Sequence, residues 1–152
     1  MGYDTIFNGT FTNVSLKTFK IIQKLYNKHD DLFHQFDDIT YDKKQKSLYL
    51  NSSWKNYDEL ITQMAIFLAN LDKNIQGNID CYGEDRDDIW NITIKNGKIR
   101  VFAGYIKYKE DTKDTIPLIN ALYGLKILKK LYEATSDEKY KKELIVKSLE
   151  QT

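Results

Sequence analysis

Apolar and polar positions along the chain follow two periods, and these divide it into elements. Residues 3–13 alternate with period two. Tyr3, Thr5, Phe7, Gly9 and Phe11 share one side and Asp4, Asn8, Thr10 and Thr12 fall on the other, as in a half-buried strand. From Leu16 to about Lys28 the period becomes helical: Leu16, Phe19, Ile22, Leu25 and Tyr26 make a stripe, and Asn13 or Ser15 is placed to cap it. Residues 29–38 read as a polar connector to a hairpin of 39–41 and 47–51, turning through Asp42-Lys43-Lys44-Gln45. Asn56 and Glu59 have the spacing of a capping box, and Leu60, Met64, Phe67, Leu68 and Leu71 predict a helix over 57–71.

Residues 75–82 read as a strand with Ile75, Gly77, Ile79 and Cys81 on one face. Asn96-Gly97 then joins two further strands, 89–95 and 98–108, in the strongest short hairpin signal of the chain. A two-residue turn dictates the register. Lys95 faces Lys98, Ile94 faces Ile99, Thr93 faces Arg100, Ile92 faces Val101, Asn91 faces Phe102 and Trp90 faces Ala103. This register gathers Ile94, Ile99, Ile92, Val101, Trp90 and Ala103 on one face, and a one-residue slip would scatter them.

Residues 109–115 form a polar linker. Pro117 follows at a helix start, and Leu118, Ala121, Leu125, Leu128 and Tyr132 form a seam that Ile119, Leu122, Tyr123, Ile127 and Leu131 widen. Thr135 and Glu138 suggest a capping box for a last helix carrying Tyr140, Leu144, Ile145 and Leu149. The expected fold class is α+β: an antiparallel sheet of about five or six strands with two helices on one face, over residues 1–108. A C-terminal αα-hairpin over 116–150 completes a single structural unit.

Composition narrows the function classes. A chain of 152 residues suits one domain, and 41% apolar content supports a core. Residues 1–108 hold 14 basic and 14 acidic side chains and residues 109–152 hold 9 and 8, so neither a basic tail nor an acidic nucleic-acid mimic is expected. A single cysteine, Cys81, forms no internal disulfide, and its place in phase with Ile79 reads as core. The opening residues lack a secretory pattern, and no apolar run is long enough to span a membrane, so a cytoplasmic protein is expected. Sequons at Asn8, Asn13, Asn51 and Asn91 fit Asn-, Lys- and Ile-rich usage of the kind AT-rich coding produces.

Several segments together, Gly2-Tyr3-Asp4-Thr5, Trp54-Lys55-Asn56-Tyr57, Gly83-Glu84-Asp85, Asp88-Ile89-Trp90 and Asn96-Gly97-Lys98, resemble those of small phage and prophage α+β proteins. The resemblance covers roughly residues 2–100. It implies a ferredoxin-like sandwich and a mobile-element setting, and it carries over no catalytic residue.

No nucleophile, phosphate loop or metal spacing specifies a reaction, so neither enzyme activity nor a cofactor is expected. His29 and His34, five apart, would lie on different faces of a helix, and no metal site is assigned to them. The turn Glu84-Asp85-Arg86-Asp87-Asp88 offers carboxylates to a partner's cations, Trp54 is an anchor at a loop–helix junction, and Tyr123, Lys126 and Lys130 lie along the C-terminal helices. These nine residues are the expected partner-binding set. The leading expectation is a non-catalytic accessory protein that binds a host or phage protein, as an anti-CRISPR-like inhibitor of host defence would. Two alternatives stand beside it: nucleic-acid binding through Lys95, Lys98, Arg100 and Phe102, or a homodimer joined through residues 116–150.

Overall fold

Among the described residues seven strands form one sheet: β1 (Ile6–Thr12), β2 (Asp38–Asp42), β3 (Ser47–Ser52), β4 (Gln76–Tyr82), β5 (Ile89–Lys95), β6 (Lys98–Gly104) and the three-residue β7 (Tyr108–Glu110). The computed structural model describes residues 5–52, 58–83, 89–104, 108–110 and 124–150. Strand order is β2-β3-β1-β4-β5-β6-β7, and every neighbouring pair is antiparallel. Helix α1 (Leu16–Asn27) links β1 to β2, and α2 (Asp58–Leu71) links β3 to β4. The first six elements therefore make the split βαβ arrangement of ferredoxin-like folds, which β5, β6 and β7 extend beyond β4 as a meander. Helices α3 (Gly124–Thr135) and α4 (Glu138–Glu150) follow.

Period-two patterning assigns the two faces. Phe7 and Phe11 of β1, Leu48 and Leu50 of β3, Ile79 and Cys81 of β4, Ile92 and Ile94 of β5 and Ile99 of β6 are buried beneath the helices. Asn8, Thr10 and Thr12 of β1, with Asn51, Gln76 and Asn78 on the flanking strands, are exposed on the other face. The β5–β6 register places Ile94 opposite Ile99, Ile92 opposite Val101 and Lys95 opposite Lys98, as the Asn-Gly turn predicts. Asn96 and Gly97 have φ of 56° and 73°, the left-handed pair that a type I′ turn requires.

α1 starts where Ser15 accepts a hydrogen bond from the Thr18 amide, 3.1 Å away. It rests on the sheet through Ile22 and through Phe19, whose ring stacks on Tyr41 at 4.3 Å. α2 differs from the single stripe its periodicity suggests. Ile61, Met64, Ala65, Ile66, Phe67, Leu68 and Ala69 are all buried, because α2 lies between the sheet and α3. Ile127, Leu128 and Leu131 of α3 join the same core, so the C-terminal pair packs on the helix-bearing side and leaves the polar sheet face open.

Two local expectations are corrected. The connector over residues 29–38 is not simply polar: Leu32, Phe33 and Phe36 are buried, and Phe33 meets Phe67 edge-on at 5.7 Å. At the α3–α4 corner, Thr135 closes α3 through a 2.7 Å bond to the Leu131 carbonyl, and Asp137 caps α4 by accepting from the Lys139 amide at 3.0 Å. The capping carboxylate is thus two residues later than the Thr-x-x-Glu spacing suggests.

Candidate binding groove

α1 and its C-cap bear on their outward side four lysines, Lys17, Lys20, Lys24 and Lys28, at spacings of three, four and four. That spacing keeps them on one stripe. All four are exposed, and none forms an ion pair among the described residues. No acidic residue occurs between positions 5 and 29 to balance them. Like charges one turn apart oppose the helix, and Lys17 sits in a first turn without acid, at the positive end of the helix dipole. Local helix stability does not account for this pattern.

The stripe borders a groove of about 1060 Å³ between α1, the end of α2 and the α3–α4 corner. Half-buried Leu16, Ile21, Leu25, Leu71 and Ala134 supply its apolar surface. Tyr140 closes one end, donating its hydroxyl to the Asn70 carbonyl at 2.8 Å, and burial pushes that phenol above its ordinary range. Three of the four lining carboxylates are already engaged. Asp30 meets Lys130 at 2.6 Å, Asp72 accepts from Thr18 Oγ1 at 3.4 Å, and Asp137 accepts from the Lys139 amide at 3.0 Å. Six lysines line the groove against four carboxylates, so its balance of charge is positive.

An ion-pair clamp holds α3 to the turn after α1. Lys130 reaches Asp30 at 2.6 Å and Asp31 at 2.9 Å, and Lys126 reaches Asp31 at 2.8 Å. Burial alone would raise the Asp31 carboxyl, but hydrogen bonds from Lys126 and Lys130 outweigh it and hold the group below its usual range. Burial likewise opposes the Lys130 charge, and Asp30 and Asp31 overcome it, so the ammonium is held above its usual range.

Of the partner-binding residues expected from sequence, Lys126 and Lys130 belong to this clamp, and Lys130 also lines the groove. Trp54, Glu84, Asp85, Arg86, Asp87, Asp88 and Tyr123 lie outside the described residues. Lys95, Lys98, Arg100 and Phe102 stand on the sheet face away from the helices, the face that also carries Asp80, whose carboxylate accepts a 2.7 Å bond from Asn91. Cys81 is fully buried. His29 and His34 come together, with Nδ1 atoms 3.4 Å apart, because the segment carrying them is a folded turn and not a helix. On α4, Ile145 and Val146 are exposed.

Counting charge over residues 1–108 and 109–152 missed the lysine stripe. Its signal was present as an acid-free run of 25 residues with four lysines at helical spacing. Among the described residues no helix is long and apolar enough to cross a membrane. Compared with known proteins, the chain matches no family model, no curated protein and no solved structure.

Proposed function

We propose that this protein acts without catalysis, by holding an acidic, amphipathic segment of another protein in the groove between α1 and the α3–α4 corner. The observation that carries this reading is the stripe of Lys17, Lys20, Lys24 and Lys28 beside an apolar floor. A helix or extended segment with Glu or Asp on one side and Leu or Ile on the other complements both features at once. The apolar floor favours polypeptide over nucleic acid, whose binding needs ring faces to stack on along a cationic track. Stoichiometric inhibition of a host defence protein, such as a CRISPR effector, is the role we attach to this groove, from the mobile-element resemblance.

One observation favours a second reading. Among the described residues, Lys95 and Lys98 are exposed and Arg100 and Phe102 half-buried on the sheet face away from the helices, a basic and aromatic set of the kind that meets single-stranded nucleic acid. Asp80 stands on the same face, on the strand beside β5, and lowers its positive charge, which ranks it second.

Fluorescence anisotropy separates the two. The probes are a labelled Glu/Leu amphipathic peptide, its Lys/Leu counterpart and an oligothymidine of similar charge. The Glu/Leu peptide is expected to bind alone, more weakly as salt rises, and Lys20→Glu with Lys24→Glu to weaken it at least about tenfold. Binding of the oligonucleotide alone, abolished by Lys95→Glu with Arg100→Glu, would overturn the groove reading in favour of the sheet face.

A further inference from the structure

We infer that His29 and His34 form a two-imidazole seat for a divalent transition-metal ion, independent of what the groove holds. The rings are presented by a rigid turn. Asn27 ends α1, and His29 takes φ of 59° as the helix terminates, with its amide bonded to the Tyr26 carbonyl at 3.1 Å. The chain then reverses. The His34 amide donates to the Asp30 carbonyl at 2.7 Å, the Leu32 amide donates to Asp30 Oδ1 at 3.0 Å, and Leu32 and Phe33 anchor the turn in the core. Both imidazoles remain exposed above this base.

Their geometry suits chelation. The two Nδ1 atoms are 3.4 Å apart and the rings cross at 85°. Two imidazole nitrogens bound to one tetrahedral ion at about 2.0–2.1 Å sit roughly 3.3–3.4 Å from each other. Rotation of the exposed rings about their Cβ–Cγ bonds is the adjustment that the inference asks for.

The neighbouring carboxylates do not compete for the ion. Asp30 Oδ1 and Oδ2 serve Leu32 and Lys130, and Asp31 Oδ1 and Oδ2 serve Lys130 and Lys126. The described residues gather no third His, Cys, Asp or Glu ligand, so water completes the coordination. Neutral imidazole donors of this kind take Zn²⁺, Cu²⁺ or Ni²⁺ in preference to Mg²⁺ or Ca²⁺.

Calorimetric titration of the full chain with Zn²⁺ at neutral pH is the test, repeated on His29→Asn and His34→Gln. Asparagine is chosen at 29 because it tolerates the left-handed backbone there. The expected result is one ion per chain, Mg²⁺ giving no heat, and loss of binding in each variant with an unchanged melting temperature without metal. No stoichiometric binding, or undiminished binding by both variants, would overturn the inference. Should a variant melt early, the imidazole ¹⁵N spectrum of the unmodified protein decides. Zn²⁺-dependent shifts at Nδ1 of both histidines support the seat, and unmoved Nδ1 signals reject it.

Discussion

At position 77 the backbone of β4 passes so close to β1 that a side chain has no room. A Cβ there would collide with the Thr10 carbonyl oxygen and lie 2.8 Å from the Phe11 Cα. Gly77→Ala is therefore expected to destabilise the fold by about 1–3 kcal/mol, measured by urea denaturation, because the obstacle is backbone in a packed sheet. The Asp31–Lys130 contact adds a pH dependence. With its carboxyl held below the ordinary 3.8, Asp31 stabilises the fold above that pH, and this contribution is lost as pH falls through the lowered value. With its ammonium held above the ordinary 10.5, Lys130 contributes fully below that pH and loses the contribution as pH rises beyond it. Asp31→Asn should accordingly lower stability at neutral pH, with the difference from the parent protein vanishing in acid. The effect should be modest, since the Asp31 side chain is 46% exposed. A difference persisting unchanged well below pH 3.8 would assign it to something other than this charge. Sequence disclosed little at this scale. Leu32, Phe33 and Phe36 lie among histidines and aspartates, so no period marked them as core, and only the tertiary fold brings them under Phe67.

At the scale of elements the hydrophobic pattern was most informative where a turn fixed it. The Asn96-Gly97 hairpin has the register its two-residue turn requires, since both residues take the left-handed conformation and the apolar face follows. Gly97→Ala, which forces a side chain into φ of 73°, should cost about 1–2 kcal/mol by thermal or urea unfolding while leaving the register intact. An unaffected stability would mean that the turn does not hold the hairpin. The strands and the two helices of the βαββαβ portion were also legible, because each has one apolar side and periodicity reports a side. α2 was read less completely. Its second buried side, which includes Ala65, Ile66 and Ala69, becomes explicable only once α3 lies across it. The α4 cap was displaced for a local reason: the Thr135 hydroxyl is used to close α3, and the nearby carboxylate of Asp137 takes over.

For the whole molecule, a net charge of +1 conceals how the charge is arranged. Counting over residues 1–108 and 109–152 showed balance, whereas folding puts an acid-free run of lysines beside a groove lined by six lysines and four carboxylates. The site was hidden from sequence because its two walls are about a hundred residues apart and meet only in the folded chain, where Lys126 and Lys130 reach Asp30 and Asp31. The lysine spacing alone was visible. Amide chemical-shift mapping of the ¹⁵N-labelled protein with the Glu/Leu peptide tests the central claim most directly. The groove account predicts that the largest shifts fall along residues 17–28 and 133–140 and disappear in Lys20→Glu with Lys24→Glu. Shifts gathered instead on residues 91–102 of the open sheet face, or surviving the charge reversal unchanged, would contradict it.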